Sequence, residues 1–429
     1  MTRYMQNKPS ICVIGLGYIG LPTALLFANN GFNVSGCDIN QNIVNLINSK
    51  KPPFNEEELL ERLENAIDSG KLRAYTYPMA SDVYIITVQT PYKEEICNAE
   101  LGFLNNAVES IKPILKDGDL VIVESTIPPG TTLGPVCDAL ASIRNEKKIF
   151  IAHVPEHALV GKLFFELINN SRLIGGVDPE STDRAADLYS KVVKGKLIKT
   201  DATTAELVKI MENTYRDVNI ALANELAKYA ESIGVNIWEA IDAANKHPRV
   251  NIHRPGPGVG GECIAVDPLF LLNNDKVDMP LVRAARSVND SMPQFVVNKI
   301  EKILSKSGQK QPMIALLGLS FKANVSDSRN SPSKDICHIL DQKGIRYKAY
   351  DPHAAKGTVN NQVDNLMDAL KGADLAVVLV DHDDFLRMCP KTIKGFMRTP
   401  VIFDTKNCLD HSEYRHAGFK TCLLGYKCN

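Results

Sequence analysis

A single cysteine, Cys263, stands in the stretch Pro-Gly-Pro-Gly-Val-Gly-Gly-Glu-Cys-Ile-Ala-Val-Asp-Pro, residues 255–268. Glycines leave the backbone bare, so a substrate can lie against this loop and reach a thiol that bulkier residues would shield. Earlier in the chain Lys209, Asn213 and Arg216 recur at i, i+4 and i+7, which on a helix is one polar face. Leu207, Ile210, Met211, Val218 and Leu222 surround that face, so the polar stripe borders buried surface. Nearer the N-terminus, Gly15-Leu-Gly17-Tyr-Ile-Gly20 follows the apolar run Ile11 to Ile14, and Asp38 ends a second apolar run, Phe32 to Cys37. A thiol used beside a nicotinamide suggests capture of an aldehyde. The hemithioacetal so formed can lose a hydride and become a thioester.

The order strand, GxGxxG, helix, strand, acid is that of a dinucleotide site. Gly15 permits the tight turn, Gly17 lets a pyrophosphate approach the backbone, and Gly20 lets helix and strand pack closely. The helix N-terminus offers N–H groups and a positive dipole end to the phosphates. Asp38 can accept from both ribose hydroxyls, and its charge repels a 2′-phosphate, so NAD is expected rather than NADP.

These groups need elements to hold them. Strand-like runs at Val83 to Val88, Leu120 to Val123 and Lys148 to Ala152 alternate with helical segments, which indicates an α/β fold with a parallel doubly wound sheet. Ligands of such a sheet sit beyond the carboxyl ends of its strands. Those ends carry Thr90-Pro91, then Glu124-Ser125-Thr126-Ile-Pro-Pro-Gly-Thr131, then Val154-Pro155-Glu156-His157. Residues 203–233 contain no Gly or Pro and predict a helix of about 45 Å, long enough to join two domains and carry a subunit interface. A further helix, Ile237 to Asn245, ends at Lys246-His247-Pro248-Arg249. In the last third, strands at Met313 to Leu317, Arg346 to Tyr350, Ala373 to Val380 and Val401 to Phe403 predict a second α/β domain without GxGxxG. Lys322 and Lys406, at strand ends, suit a nucleoside diphosphate. The expected domains are 1–200, which binds NAD, 201–305, central and helical with the Cys263 loop, and 306–429, which binds the nucleotide.

With 429 residues the chain exceeds one hydrophobic core. A net charge of -1 with 23% charged and 44% hydrophobic residues gives no overall attraction to nucleic acid or membrane. The N-terminus lacks the pattern of a signal peptide, and no run of 18 apolar residues follows, so a soluble cytoplasmic protein is expected. Ten cysteines are scattered singly and without CxxC spacing. They are expected to be reduced, and no metal site is expected.

The blocks GLGYIGLP, ESTIPPGT, AELVKIMENTYRDVNIALANEL, HPRVNIHRPGPGVGGECIAVDP, FKANVSDSRNSP and FDTKN together resemble the UDP-glucose/UDP-mannuronate dehydrogenase family over essentially the whole chain. NTYRDVNIALANEL and HPRVNI look most like the branch acting on UDP-N-acetyl-D-mannosamine. The resemblance implies two Rossmann-like domains joined by a long central helix and an all-α dimerisation region. It also implies a four-electron oxidation of the sugar C6 alcohol to a carboxylate with two NAD+. In that scheme Cys263 is the nucleophile and Lys209 an acid/base group that stabilises the oxyanion. Asn213 and Asp267 position water and polarise the reacting oxygen, and Glu156 and Thr126 assist thioester hydrolysis. Tyr18, Ile19, Asp38, Thr90, Thr126 and Arg329 fall at cofactor positions. His157, Ala158, Lys209, Asn213, Arg216, His247, Arg249, Gly260, Phe321, Lys322 and Lys406 fall at nucleotide-sugar positions. The arginine matching Arg249 reaches the neighbouring subunit's site in the family, which implies a homodimer. The chain departs from the family at His157, where arginine is usual, and at Glu262, where histidine or serine is common.

Overall fold

A computed structural model describes residues 8–54, 56–93, 98–158, 161–272, 277–306 and 308–428. The chain divides into two compact units, one ending at Glu212 and the other beginning at Asn213.

In the first unit short apolar segments become strands β1 (Ile11–Ile14), β2 (Val34–Cys37), β3 (Leu72–Tyr75), β4 (Val83–Ile86), β5 (Tyr92–Lys93), β6 (Asn98–Ala99), β7 (Leu120–Val123), β8 (Phe150–His153), β9 (Arg172–Gly176) and β10 (Leu197–Asp201). Eight of them form one sheet in the order β10-β9-β8-β7-β4-β1-β2-β3, while β5 and β6 pair separately and antiparallel. Strands β1, β4, β7 and β8 are buried at every position, because helices cover both faces of the sheet. Successive side chains point to opposite faces, so Ile11 and Val13 enter one core while Cys12 and Ile14 enter the other.

The sheet departs from the expectation in one place. β9 runs antiparallel to β8, and β10 then pairs parallel with β9. Three of its strands also differ from their apolar runs: β2 begins at Val34 rather than Phe32, β4 ends at Ile86 rather than Val88, and β8 begins at Phe150 rather than Lys148. Phe32 is fully buried beside Phe27, so its hydrophobicity serves the core and not the ladder. From β1 the chain proceeds to β2 and β3 on one side and to β4 and β7 on the other. The crevice beyond β1 and β4 is therefore a topological switch point.

The long helix Ala202–Ile233 has 32 residues, about 48 Å at 1.5 Å per residue, and passes from the first unit into the second. The second unit adds helices Ile237–Ala244, Pro280–Asp290 and Met292–Leu304. It then forms β11 (Met313–Leu317), β12 (Arg346–Tyr350), β13 (Leu375–Val378), β14 (Val401–Asp404) and β15 (Lys420–Leu423). These five are all parallel in the order β12-β11-β13-β14-β15, with a second switch point between β11 and β13. Among the described residues no helix is long and apolar enough to cross a membrane.

The cysteines correct one expectation. Cys422 and Cys428 form a disulfide. The chain turns back after β15 through Gly425 at φ 69°, and an antiparallel bridge brings the two Cα atoms to 4.0 Å. Cys12 and Cys37 remain free and buried, and burial pushes their thiols up to about 11 and about 12. Cys263 is in no disulfide and is exposed.

Candidate active site

The three glycines of the turn occupy different steric settings. Gly15 has φ 92°, and a Cβ there would stand 2.8 Å from the Thr87 carbonyl oxygen. Gly17 has nothing within 4 Å of its added Cβ, which leaves its face open to a phosphate. At Gly20 the added Cβ would lie 1.7 Å from the Gly15 carbonyl oxygen. Thr87, which sequence reading missed, stands behind this turn and donates to the carbonyls of Gly15 at 2.7 Å and Ile14 at 3.0 Å. Asp38 Oδ2 accepts from the Leu16 N–H at 2.9 Å and Oδ1 from the Asn40 N–H at 2.9 Å. That carboxylate is thus fixed at the edge of the turn with lone pairs left for hydroxyl donors. Tyr18 stacks on Phe54 at 4.2 Å. The open Gly17, the crowded Gly20 and the tethered Asp38 together fit a dinucleotide at the β1/β4 crevice.

The loops at the neighbouring strand ends are joined to one another. Thr90 Oγ1 donates to the Thr126 carbonyl at 2.6 Å, and Ser125 Oγ to that of Val88 at 2.7 Å. Glu206, on the long helix one turn before Lys209, accepts from Gly130 N at 2.5 Å and Thr132 N at 2.7 Å. The helix that carries Lys209 is therefore bound to the loop that carries Thr126. Glu156 is buried, and its carboxylate accepts from the Ala158 N–H. His157, which stands where the family has arginine, holds Glu212 through Nδ1 at 2.6 Å. Burial raises the Glu212 carboxyl, but the His157 bond and the charges of His157 and Lys209 outweigh it and leave the carboxyl below the usual range.

His153, at the end of β8, is completely buried, and neither ring nitrogen makes a well-formed hydrogen bond. Burial, assisted by the charges of His157 and Lys209, depresses it from 6.5 to about 3. The unfolded chain therefore binds a proton that the fold refuses. The contribution of His153 to stability is complete above about pH 6.5 and is lost progressively as the pH falls toward 3. Urea unfolding midpoints measured between pH 7 and pH 4 should fall accordingly, and His153→Leu should flatten that fall. Parallel slopes in the two proteins would assign the acid sensitivity to another group.

In the second unit Asn213 Nδ2 donates to Asp267 Oδ2 at 2.5 Å, and both residues are buried. The Asp267 N–H in turn donates to the Cys263 carbonyl at 2.8 Å, as does Val266 N at 3.1 Å. Asn213 and Asp267 thus hold the turn that presents the exposed Cys263. Upstream, Gly256 N donates to Asn224 Oδ1 at 2.9 Å, while Asn224 Nδ2 donates to Asn289 Oδ1 at 2.9 Å. Both asparagines escaped sequence reading, although Asn224 lies in the long block around Asn213.

The glycines of this loop have a packing role that the sequence did not show. An added Cβ at Gly260 would lie 2.6 Å from the Asn330 carbonyl oxygen and 2.9 Å from Phe321 Cβ. At Gly261, with φ 85°, it would meet the Phe321 ring at 3.0 Å. They therefore allow close seating against the segment from Phe321 to Pro332. Gly261 N also donates to the Arg329 carbonyl at 3.2 Å. Lys406 Nζ lies 3.8 Å from the position of an added Cβ at Gly256 and 3.7 Å from Asp381.

Not every candidate converges. The Arg329 guanidinium pairs with Asp327, with Nη2 2.6 Å from Oδ2. Arg216 is exposed on the long helix, and its charge adds to burial in lowering the titration of His253. His247 and Arg249 are exposed beyond the helix Ile237–Ala244, and Arg249 N donates to His247 Nδ1 at 3.3 Å.

The mostly parallel first sheet with its dinucleotide turn and the all-parallel sheet of the second α/β domain define an NAD-dependent nucleotide-sugar oxidoreductase. The chain belongs to the UDP-glucose/GDP-mannose dehydrogenase family: residues 9–193 match its NAD binding domain, 203–291 its central domain and 315–411 its UDP binding domain. It is 48% identical to a UDP-N-acetyl-D-mannosamine dehydrogenase of Methanocaldococcus jannaschii, over 99% of both chains. A UDP-D-ManNAc dehydrogenase from Pyrococcus horikoshii of known structure is 41% identical, with a TM-score of 0.90 over 97% of this chain and 99% of that one. An NDP-N-acetyl-D-galactosaminuronic acid dehydrogenase of Ralstonia nicotianae is 41% identical over 92% of this chain and 95% of its own. The cofactor is NAD and the substrate a UDP-sugar.

Proposed function

We propose that this enzyme oxidises the C6 alcohol of UDP-N-acetyl-D-mannosamine to the carboxylate, giving UDP-N-acetyl-D-mannosaminuronate. The observation that carries the chemistry is the exposed Cys263 on a turn held through Asp267 by Asn213. The names of the mannosamine-specific relatives support the choice of sugar.

Bound NAD+ supplies the oxidant, taking one hydride at each of two oxidations. In the first, the C6 hydroxyl loses its proton to a base while the C6 carbon gives up a hydride, leaving an aldehyde; we assign Lys209 as the acid/base group. The Cys263 thiolate then adds its sulfur to the aldehyde carbon, forming a hemithioacetal. Lys209 and Asn213 stabilise the oxyanion by hydrogen bonding. Loss of the second hydride from that carbon leaves a thioester. Water, positioned by Asp267, Thr126 and Glu156, adds to the thioester carbon and expels the Cys263 thiolate with release of the carboxylate. Arg216, Arg249, Lys322 and Lys406 offset the charge of the diphosphate. In this reading 1–200 holds NAD, 201–305 carries the nucleophile and 306–429 holds the UDP-sugar. The product is a uronate donor for surface polysaccharide, made in the cytoplasm.

Turnover with purified UDP-N-acetylmannosamine, UDP-N-acetylglucosamine and UDP-glucose tests the choice of sugar. We expect kcat/KM to favour the first by about 100-fold or more, a discrimination available to a site that hydrogen-bonds the C2 acetamido group in one orientation. An equal or better value on either other sugar rejects the assignment.

We further read the enzyme as a homodimer. Met211, Tyr215, Leu222, Tyr229 and Ile233 remain between 46% and 64% exposed on the long helix. At 100° per residue they fall within about 40° of one another, an apolar stripe that a second copy would cover. If Arg249 completes the partner's site, Arg249→Ala and Cys263→Ala should each be inactive alone, yet co-expression should restore roughly 25% of native activity. Half of randomly paired dimers are mixed, and each mixed dimer has one complete site. No restoration would place Arg249 in its own subunit's site.

A further inference from the structure

The second unit contains a buried carboxylate–imidazole pair that none of the chemistry above uses. Asp351 follows β12 and His382 follows β13, at the switch point of the second sheet. Neither side chain is exposed at all. Asp351 Oδ2 accepts from the N–H groups of Leu319 at 2.6 Å and Ser320 at 2.8 Å, and from the Ser320 hydroxyl at 3.0 Å. Its Oδ1 accepts from His353 N at 2.7 Å and Ala354 N at 2.8 Å. Burial raises this carboxyl, but the His382 bond and the backbone donors outweigh it and hold it well below the usual carboxylate range.

A carboxylate only accepts, so His382 Nε2, 3.0 Å from Asp351 Oδ2, is the protonated nitrogen and the donor. Its Nδ1 then keeps a lone pair, and that lone pair accepts the Asn324 N–H at 2.9 Å. The two contacts together select the neutral tautomer with hydrogen on Nε2. Asn324 has φ 59°, and its side-chain oxygen accepts from Asp383 N at 3.0 Å. The left-handed turn is thus gripped through both its backbone and its side chain. It lies two residues after Lys322 and three after Phe321, and Phe321 is what Gly260 and Gly261 pack against. A path runs from Asp351 through His382 to Asn324, along the backbone to Phe321, and from there to the loop of Cys263.

We propose that His382 is a positioning residue for nucleotide-sugar binding: oriented by Asp351, its imidazole fixes the backbone at Asn324 and so sets Phe321 and Lys322. The proposal rests on the reading that these two residues meet the UDP-sugar.

Two substitutions in the full chain separate the two bonds of the ring. In His382→Asn the amide oxygen can take the place of Nδ1 and still accept from Asn324. In His382→Gln the amide nitrogen can take the place of Nε2 and still donate to Asp351. Each loses one buried hydrogen bond, so their Tm values should drop by similar amounts. We expect His382→Gln to raise both KM for the UDP-sugar and the calorimetric Kd for UDP about tenfold, with KM for NAD+ unchanged. His382→Asn should stay within about twofold of the native affinity. Equal affinities in the two variants, or losses that track Tm, overturn the proposal. A measurement on the native enzyme covers the case in which a variant does not fold: amide exchange at Asn324 should be slow although the residue is exposed, and fast exchange rejects the anchor. A native enzyme that forms no NADH but binds UDP with this pattern would refute the oxidation and keep the positioning role. An active native enzyme whose variants both bind UDP normally would do the reverse.

Discussion

With Cys263→Ser, oxidation of the UDP-sugar to its uronate falls by at least about a thousandfold, equivalent to about 4 kcal/mol of lost transition-state stabilisation. Serine keeps the size of the side chain and its place on the exposed turn held by Asp267 and Asn213. What changes is the nucleophile: a hydroxyl is scarcely ionised at neutral pH, whereas a thiolate is reached readily. Without the hemithioacetal, the second hydride has no tethered donor. The measurement is NADH formed per UDP-sugar consumed, followed by absorbance, with the uronate quantified by chromatography. Native enzyme should give two NADH per sugar consumed, and the variant no more than one, with no uronate. One NADH per sugar from both proteins would make Cys263 a bystander and the enzyme a two-electron dehydrogenase.

The second large effect is expected at Gly20. An added methyl would lie 1.7 Å from the Gly15 carbonyl oxygen and 2.3 Å from Thr87 Oγ1. The carbonyl cannot swing aside cheaply, because Gly15 N donates to the Cys37 carbonyl at 2.8 Å and Thr87 Oγ1 donates to Gly15 O at 2.7 Å. Gly20→Ala must therefore push the first helix off the sheet, at a cost of about 3 kcal/mol. That corresponds to a Tm drop of roughly 6–12 °C for a unit of this size. With the phosphate turn displaced, KM for NAD+ should rise by about 100-fold. Gly17→Ala is the informative control, since nothing lies within 4 Å of the added Cβ. It should leave Tm unchanged and raise KM for NAD+ about tenfold, because the methyl occupies the face left for the pyrophosphate. Native Tm and native KM in Gly20→Ala would disprove this account of the turn.

Both predictions draw on motifs that could be read in the chain before its fold was known, but for different reasons. The dinucleotide turn is local: Gly15, Gly17 and Gly20 lie within two turns of backbone, and their spacing is their geometry. The same holds for the long helix, whose lack of Gly and Pro and whose i, i+4, i+7 polar face need no distant partner. The Cys263 loop was legible as a site, yet its glycines carried a second meaning. Sequence reading assigned them to substrate approach, whereas Gly260 and Gly261 also seat the loop against Phe321.

By itself, then, the sequence determined what short-range sterics and periodicity can encode: strands β1, β2, β4, β7, β8 and β11 to β14, the glycine turn with its acid, the continuous central helix and the exposed thiol's setting. The tertiary structure alone decided which distant groups complete them. Glu206 grips the loop at Gly130 and Thr132 from 76 and 74 residues away, and His382 meets Asp351 across 31. The antiparallel direction of β9 belongs to the same class. A hydrogen bond between residues far apart in sequence depends on how the strands are ordered and where the chain reverses, and no local pattern of residue types carries that information.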